Sequence, residues 1–351
     1  MIQRRKSKQI EIGNIKIGGD APISVQSMTN TDTRDVKSTL KQINNMAEQG
    51  CEIVRLAILN PDAADAIREI KKQSPLPLIA DIHFDYRLAI RCIENGIDAL
   101  RINPGNIGKE EHTKKVVALA KTNNVPIRIG INGGSLEKEL EVLDIPLAEK
   151  MVKSAMRHVQ ILEDNDFDKI KISLKSSDVL TTIEAYRLIA EKVDYPLHLG
   201  VTEAGTYTGG IVKSAVGLGT LLAEGIGDTI RVSLTDNPVE EVKAGYMILK
   251  SLGLRQRGIN FVSCPTCGRT QIDLIGLAKT VEKRLEDFDK PLTIAVMGCA
   301  VNGPGEAKHA DYGIAGGIKE GYIFKKGEII KRLPEEKLVD EFINLIHMEN
   351  M

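Results

Sequence analysis

The segment Lys169-Ile-Lys-Ile-Ser-Leu-Lys175 alternates polar and aliphatic residues with a period of two. Such alternation is typical of a β-strand whose two faces lie in different surroundings. An amphipathic helical pattern follows it over residues 178–192. Together they predict one strand followed by one helix, which is the unit from which α/β folds are built.

This unit recurs from about residue 20 to residue 250. The predicted strands cover residues 23–28, 53–58, 78–83, 99–103, 127–132, 169–175, 197–202 and 229–235, with helical periodicity after each. Eight such units in series predict a (β/α)8 TIM barrel. A doubly wound open sheet is the alternative, but no Gly-rich dinucleotide-binding turn follows the first strand. Residues 10–17, which contain Gly13-Asn14, predict a small hairpin before the barrel.

Alternate residues of a strand lie on opposite faces, and sorting each predicted strand in this way predicts a cationic barrel interior. The aliphatic face must meet the helices, so the polar face points into the lumen, which most barrels fill with Val, Ile and Leu. Here the lumen set is Arg55, Arg101, Arg128, Lys171, Lys175 and Arg231. Buried cations are costly unless an anion meets them, and arginine forks suit phosphate oxygens. We therefore expect a small polyanion at the barrel mouth. Internal salt bridges are the alternative, but few acids (Asp81 and Glu203) are placed to form them.

Several strand ends carry residues suited to this ligand. Asn103-Pro-Gly-Asn106 and Asn132-Gly-Gly-Ser135 are turns whose backbone amides can approach phosphate. Glu203 follows the seventh strand, where barrel enzymes place acids and bases, and a salt-bridge role is its alternative. His83 and His198 have lumen parity and are candidate proton donors or structural histidines.

Overall composition excludes several classes of protein. The 351 residues carry a net charge of −1 and 4% aromatics, which argues against a broad nucleic-acid surface. The basic N-terminal stretch is not followed by the apolar core of a signal peptide, and no apolar run approaches a membrane span. Five cysteines, mostly far apart, argue against a secreted disulfide scaffold. We expect a cytoplasmic location.

The pattern changes near Gly253, and we expect a domain boundary there, with residues 1–253 forming the barrel and 254–351 a small α+β domain. In the second domain we expect strands at 259–262 and 292–297, a helix at 271–286, a hairpin at 322–332 and a final helix from Pro334.

This second domain contains three of the cysteines, Cys264, Cys267 and Cys299. Three thiolates plus a fourth ligand hold either zinc or an iron–sulfur cluster. Zinc needs a further Cys or His, and only His309 is near. We interpret Cys51 and Cys92, in the barrel, as core residues.

The motifs Ser263-Cys-Pro-Thr-Cys-Gly-Arg-Thr270 and Val296-Met-Gly-Cys-Ala-Val-Asn-Gly-Pro-Gly-Glu306 closely resemble those of the 4-hydroxy-3-methylbut-2-enyl diphosphate synthase family. That family belongs to the methylerythritol phosphate route to isoprenoids. The barrel motifs Val25-Gln-Ser-Met-Thr29, Ala80-Asp-Ile-His-Phe84, Arg101-Ile-Asn-Pro-Gly-Asn106 and Leu199-Gly-Val-Thr-Glu-Ala-Gly205 are similar too, so the resemblance covers essentially the whole chain.

The resemblance implies a TIM barrel followed by a ferredoxin- or sulfite-reductase-like domain with a 4Fe–4S cluster on Cys264, Cys267, Cys299 and Glu306. The implied reaction converts 2-C-methyl-D-erythritol 2,4-cyclodiphosphate to the linear allylic diphosphate by a two-electron ring opening with loss of water. The implied diphosphate ligands are Arg55, Arg101, Arg128, Asn132, Lys171 and Arg231, with His83 and Asn103 beside them. Glu203 is then the candidate proton donor that helps the hydroxyl leave.

The resemblance also implies partners. An external electron donor, flavodoxin or ferredoxin, is required, and the family forms a homodimer in which one chain's cluster domain caps the other chain's barrel. Two rival functions remain. One is a pterin-type barrel synthase with a structural zinc domain, and the other is a metal-stabilised nucleic-acid binder.

Overall fold

A computed structural model describes residues 2–286, 288–299, 307–317 and 320–350. The chain divides into two compact units, residues 1–255 and residues 256–351. Among the described residues, no helix is long and apolar enough to cross a membrane.

The first unit is built around a ring of parallel strands. Two short antiparallel strands precede the ring, β1 (Ile10–Ile12) and β2 (Ile15–Ile17), and the ring strands are β3 (Ser24–Met28), β4 (Ile53–Ala57), β5 (Leu78–Asp81), β6 (Ala99–Arg101), β7 (Ile127–Asn132), β8 (Ile170–Lys175), β9 (His198–Leu199) and β10 (Thr229–Ile230). Their order is β8-β7-β6-β5-β4-β3-β10-β9. A bridge between Ile172 and Leu197 joins β8 to β9, so the eight strands close into the predicted barrel.

Helices surround the ring. They are α1 (Val36–Glu48), α2 (Pro61–Gln73), α3 (Tyr86–Glu94), α4 (Glu110–Thr122), α5 (Lys138–Glu141), α6 (Leu147–Glu163), α7 (Val179–Ala190), α8 (Tyr207–Ala223) and α9 (Pro238–Ser251), with a 3-10 turn at Pro104–Asn106. Side-chain oxygens of Asp35, Asn60, Asp85, Asp178 and Asn237 accept bonds from amides of the first turn of α1, α2, α3, α7 and α9. Each such cap stabilises its helix by about 1 kcal/mol.

The parity expected from the sequence is confirmed. Val54, Leu56 and Ile58 lie in the core between strands and helices, as do Ile170, Ile172 and Leu174. The alternate residues face the lumen. The last two strands were predicted too long, because regular pairing ends at Leu199 and Ile230. Beyond them the chain bonds to its neighbours irregularly, as in the bond from Leu234 N to Glu241 Oε1 (3.1 Å).

The predicted hairpin is confirmed and closes the bottom of the barrel. Ile10, Ile12 and Ile17 pack against Ile53, Ile79 and Ala99, which are lumen-facing residues of β4, β5 and β6. This apolar floor contrasts with the polar layers above it.

The seam between β8 and β9 is held by a buried tyrosine. The Tyr186 hydroxyl on α7 accepts a bond from Leu174 N (3.1 Å) and donates one to the His198 carbonyl. Two backbone groups that a regular ladder would pair are satisfied in this way.

The second unit contains one mixed sheet and two helices. Its elements are β11 (Ile259–Ser263), α10 (Leu274–Arg284), β12 (Leu292–Met297), β13 (Tyr312–Gly316), β14 (Gly321–Lys325), β15 (Glu328–Leu333) and α11 (Glu335–Asn350). Strands β11, β12 and β13 are parallel, and β13, β14 and β15 antiparallel. Both helices pack on one face of the sheet through residues such as Val281, Phe342 and Ile346.

Strand β13 was not anticipated from the sequence. Two glycines and an alanine among its five residues, Tyr-Gly-Ile-Ala-Gly, give it weak strand propensity. The structure gives a reason for Gly313, because a Cβ there would lie 2.1 Å from the Phe324 ring.

Candidate functional site

The cationic lumen predicted from parity is present. Arg101, Arg128, Lys171 and Lys175 are at most 6% exposed, and the side chains of Arg55 and Arg231 are 12% and 15% exposed. Six cationic side chains therefore occupy one low-dielectric interior, where each raises the free energy of the others.

Asp81 offsets part of this charge. Its carboxylate lies 3.5 Å from Arg55 Nε and 3.3 Å from Arg101 Nη1. Burial alone would raise the pKa of Asp81, but Arg55 with His83 and Arg101 lowers it well below its usual value. The carboxylate therefore stays ionised. Burial lowers the pKa of Arg55 to about 10, so its guanidinium stays charged at neutral pH.

A second acid, missed by the sequence reasoning, pairs with Arg231. Glu241 Oε2 lies 3.1 Å from Arg231 Nε, and the same carboxylate accepts a bond from Ser27 Oγ (2.8 Å). Glu241 lies on α9 rather than on a strand, so strand parity did not reveal it. The sequence did offer a signal, because Ala244 and Gly245 are three and four residues after Glu241 and so lie on the same, buried face of the helix.

Met28 was also missed as a site residue. Its sulfur accepts bonds from Arg55 Nε (3.1 Å) and Nη2 (2.9 Å), and Arg231 Nη1 lies 3.7 Å away. It alternates with Ser24 and Gln26 along β3, and this spacing could have shown from the sequence that Met28 faces the lumen. Met28 is therefore a neutral acceptor that contacts both Arg55 and Arg231.

Lys175 contacts an uncharged partner. Its Nζ lies 3.3 Å from His198 Nε2, while His198 Nδ1 lies 2.6 Å from Thr229 Oγ1. Burial, with Lys175 and Arg128, lowers the pKa of His198 well below 6.5, so the ring is neutral and Nε2 can accept a bond from Lys175 Nζ. His198 is thus buried and structural rather than accessible for proton donation. Gly200 makes room for Lys175, because a Cβ there would lie 2.5 Å from Nζ.

Arg128 and Lys171 carry the uncompensated charge. Within the described part of the chain, Arg128 Nε, Arg128 Nη1 and Lys171 Nζ are buried without a hydrogen-bond partner. Burial lowers the pKa of Arg128 most, and repulsion from Arg55 and Arg101 lowers it further. Burial and repulsion from Arg128 lower the pKa of Lys171. Buried polar groups are almost always paired in folded proteins, so these atoms indicate a ligand or ordered water.

A cavity of about 160 Å³ opens among these side chains. Its walls are Arg55, Asp81, His83, Arg101, Arg128, Asn132, Ser173, Lys175, Thr202, Arg231 and Ser233. These come from the C-terminal halves of the ring strands and from the segments that follow them, which is where barrel enzymes place their active sites.

Six of the predicted substrate ligands line this cavity: Arg55, His83, Arg101, Arg128, Asn132 and Arg231. Lys171 does not, and its place in the wall is taken by Lys175 on the same strand. Asn103 is used structurally, because its Oδ1 accepts a bond from Gly130 N (3.0 Å).

Glu203, the predicted proton donor, is also not among the cavity walls and follows the wall residue Thr202. Its backbone has φ of 52°, the left-handed region that only a few non-glycine residues adopt. Its side chain is exposed. A strained, exposed glutamate at the mouth of a barrel is consistent with a functional role.

Two wider grooves, of about 590 and 660 Å³, lie on the outside of the helical ring. Charged groups in the second groove pair with each other, as Arg91 does with Asp65. Neither groove has walls with the buried, uncompensated charge of the lumen cavity.

In the second unit, two of the predicted metal ligands lie at one edge of the sheet. Cys264 follows β11 and Cys299 follows its parallel neighbour β12. Gly298 N donates a bond to Cys264 Sγ (3.2 Å), an interaction that also stabilises thiolates bound to metal. Cys267 is exposed, and hydrogen bonds from Arg269 lower the pKa of its thiol, which favours the thiolate.

Glu306, the predicted fourth ligand, lies outside the described residues. Among those that are described, no group of three or more His, Cys, Asp and Glu side chains is arranged to hold a metal ion. The thiol chemistry, the shared sheet edge and the amide facing sulfur nevertheless fit a metal centre.

Comparison with known proteins gives matches over both units. The GcpE TIM-barrel domain matches residues 7–246, and the GcpE protein C-terminal domain matches residues 260–348. A protein of Geobacter sulfurreducens named 4-hydroxy-3-methylbut-2-en-1-yl diphosphate synthase (flavodoxin) is 61% identical over 341 residues, 97% of each chain. A Clostridium perfringens protein of the same name is 60% identical, over 98% of this chain and 99% of its own.

Solved structures resemble the barrel more distantly. A dihydropteroate synthase from Coxiella burnetii has a TM-score of 0.51 at 14% identity, covering 71% of this chain and 100% of its own. Plasmodium falciparum HPPK-DHPS has a TM-score of 0.53 at 13% identity, covering 70% of this chain and 52% of its own. At such identities the likeness shows the barrel fold alone.

Proposed function

The chain belongs to the GcpE family, and from that premise we propose that it reductively opens the ring of 2-C-methyl-D-erythritol 2,4-cyclodiphosphate. The proposed product is (E)-4-hydroxy-3-methylbut-2-enyl diphosphate, formed with two electrons and loss of water. Relatives about 60% identical over nearly the full chain carry the synthase name, so this is an oxidoreductase of isoprenoid precursor synthesis.

The observation that carries the proposed substrate is the uncompensated charge of the lumen. Among the described residues, six cations face two acids, Asp81 and Glu241, and the cationic nitrogens of the lumen without a hydrogen-bond partner belong to Arg101, Arg128 and Lys171. A cyclic diphosphate is a compact polyanion of the kind that would satisfy them. Arginine forks suit its oxygens, and burial of the cations in the barrel interior strengthens each contact.

The positions of the side chains support the proposed residue roles. Arg55, Arg101, Arg128, Asn132 and Arg231 line the cavity and are proposed to hold the diphosphate, with Lys171 beneath and Lys175 in the wall. His83 lies at the opening, with its side chain 52% exposed. Asn103 joins the turn after β6 to β7 through its bond from Gly130 N. Glu203 is proposed to deliver the proton that lets the hydroxyl leave as water.

For the cofactor we propose a 4Fe–4S cluster on Cys264, Cys267, Cys299 and Glu306, within a cluster domain over residues 254–351. Residues 1–253 would bind the substrate. When bound, the cluster supplies single electrons. The chain's own contribution is the sheet edge that presents Cys264 and Cys299 and the Gly298 amide that bonds to sulfur.

We propose flavodoxin or ferredoxin as the electron donor, since relatives carry flavodoxin in their names. We also propose a homodimer in which the cluster domain of one chain caps the barrel of the other. Exposed apolar side chains in the segments after the ring strands support this cap: Leu59 (81%), Phe84 (76%), Val142 (83%) and Leu180 (73%). Such a rim around a polar mouth is typical of a protein interface. We propose a cytoplasmic enzyme without nucleic-acid or membrane partners.

The test is anaerobic purification with iron and acid-labile sulfide analysis, followed by turnover of the cyclic diphosphate with a reduced dye or flavodoxin. We expect a brown protein with about four iron and four sulfide per chain and formation of the linear diphosphate. A colourless protein that carries one zinc after attempted reconstitution would refute the cluster. A loaded enzyme that does not consume the cyclic diphosphate would refute the substrate.

A further inference from the structure

His158 on α6 is buried and 2% exposed, although the proposed chemistry does not use it. Its Nδ1 accepts a bond from Gly105 N (3.0 Å). A backbone amide can only donate, so Nδ1 carries no proton and the ring proton resides on Nε2. Nε2 faces Glu137 Oε1 at 3.3 Å. One side chain therefore contacts the turn after β6 and the segment after β7.

The surroundings of His158 support a neutral ring. Burial lowers its pKa, and the opposing effect of Glu137 does not restore it. The imidazole is therefore uncharged at pH 7, as acceptance from Gly105 requires. Glu137 is fixed in turn by Ser154 Oγ, which lies 3.1 Å from Oε1. Residue 105 must be small, because a Cβ there would lie 2.9 Å from His158 Cε1.

Both contacted segments adjoin the lumen cavity. Gly105 lies two residues after Asn103, whose Oδ1 accepts from Gly130 N on β7. Glu137 lies five residues after Asn132, a wall of the cavity. The turn after β6 is thus attached to β7 through Asn103 and to α6 through His158.

We propose that His158 is a positioning residue for the anion site, which fixes the turns after β6 and β7 so that Asn103 holds β7 in place and Asn132 faces the bound diphosphate. The inference rests on the proposed function, since it concerns the same site. Without the bond from Gly105 N to His158, the turn after β6 would have to become ordered when the diphosphate binds, and this would weaken binding. Small losses of positioning of this kind reduce binding or rate by roughly 10- to 100-fold.

The variants His158→Asn and His158→Gln separate the two contacts. An Asn oxygen can take the position of Nδ1 and accept from Gly105, whereas a Gln amide reaches toward the position of Nε2 and Glu137. His158→Leu removes both contacts. The probe is inorganic pyrophosphate, titrated calorimetrically into the full-length holoenzyme, and KM and kcat for the cyclic diphosphate follow.

We expect His158→Leu and His158→Gln to weaken pyrophosphate binding and raise KM by about 10-fold, with a smaller change in kcat. His158→Asn should stay within about threefold of wild type. If His158→Leu does not fold, Glu137→Ala tests the other contact, and it should weaken binding in the same direction with its cluster retained.

Three outcomes distinguish the inference from the proposed function. The inference alone would be overturned if a folded His158→Leu or Glu137→Ala variant bound pyrophosphate as tightly as wild type. It would also be overturned if a folded His158→Asn variant bound as weakly as His158→Leu. Wild-type enzyme that does not bind pyrophosphate would overturn the anion site, and with it both proposals.

Discussion

Replacing Lys171 by methionine should stabilise the ligand-free protein while weakening its anion binding. Lys171 is 1% exposed and, within the described residues, its Nζ has no hydrogen-bond partner. Holding a lysine of ordinary pKa 10.5 neutral at pH 7 costs about 5 kcal/mol, at roughly 1.4 kcal/mol per pH unit. Keeping it charged in this interior costs no more than that, or it would deprotonate. Methionine has a similar length and no such penalty.

We expect Lys171→Met to raise the free energy of unfolding by about 1–3 kcal/mol, since exchanges of buried ions for apolar side chains gain that much. The melting temperature should rise by about 2–4 °C per kcal/mol for a unit of this size. Urea and thermal unfolding in phosphate-free buffer measure it. Lys153→Met, which removes an exposed charge from α6, is the matched control and should change stability by less than about 0.5 kcal/mol.

The pH dependence has a definite sign. Burial lowers the pKa of Lys171 in the folded state, so the unfolded chain binds more protons between that pKa and 10.5. Wild-type stability therefore rises with pH across this window, and the advantage of Lys171→Met shrinks. A variant less stable than wild type by more than 1 kcal/mol, or one with unchanged pyrophosphate affinity, would refute the reasoning.

Four further results are expected. Binding of the cyclic diphosphate at pH 8 without reductant should take up protons, measured calorimetrically in buffers of different ionisation enthalpy, because an anion raises the lowered pKa values of Lys171 and Lys175. Tyr186→Phe should lower the free energy of urea unfolding by about 1–3 kcal/mol, because two buried backbone groups at the β8–β9 seam lose their partner. Glu241→Gln should lower the free energy of unfolding by about 1–3 kcal/mol, because Arg231 loses its charged partner. Glu203→Gln should reduce turnover by about 100-fold or more with iron content unchanged.

Each of these has a contradicting result. Binding without proton uptake would mean that both lysines are already charged in the free protein. Tyr186→Phe with wild-type stability would show that the seam does not depend on the hydroxyl. Glu241→Gln with wild-type stability would show the same for the ion pair with Arg231. Full turnover by Glu203→Gln would remove the proton-donor role, whereas lost iron would leave a change in the cluster as the cause.

The period-two alternation was sufficient to predict the barrel and the content of its lumen. Lys171, Arg128 and Arg55 are inside because their neighbours Ile172, Ile129 and Leu56 must face the helices. That constraint is local, because a strand has only two faces. The hairpin and most helices were predictable on the same basis, and the cysteine motifs together with the barrel motifs pointed to the family.

Contacts between separate elements were beyond such local reasoning. Glu241 meets Arg231 from a helix, and Met28 meets Arg55 from a neighbouring strand. The choice between Lys171 and Lys175 as a cavity wall depends on depth along the barrel axis, since both share one parity. Strand β13 has weak propensity of its own and is stabilised by its two neighbours in the sheet.

The sequence by itself determined the alternation of faces, the cationic lumen and the cysteine motifs, because each depends on spacing along the chain. Only the tertiary structure decided which cations are paired, which atoms lack partners and which side chain connects the turns after β6 and β7. Those outcomes depend on distances between residues far apart in sequence, such as His158 and Gly105, and strand register and helix packing set these distances.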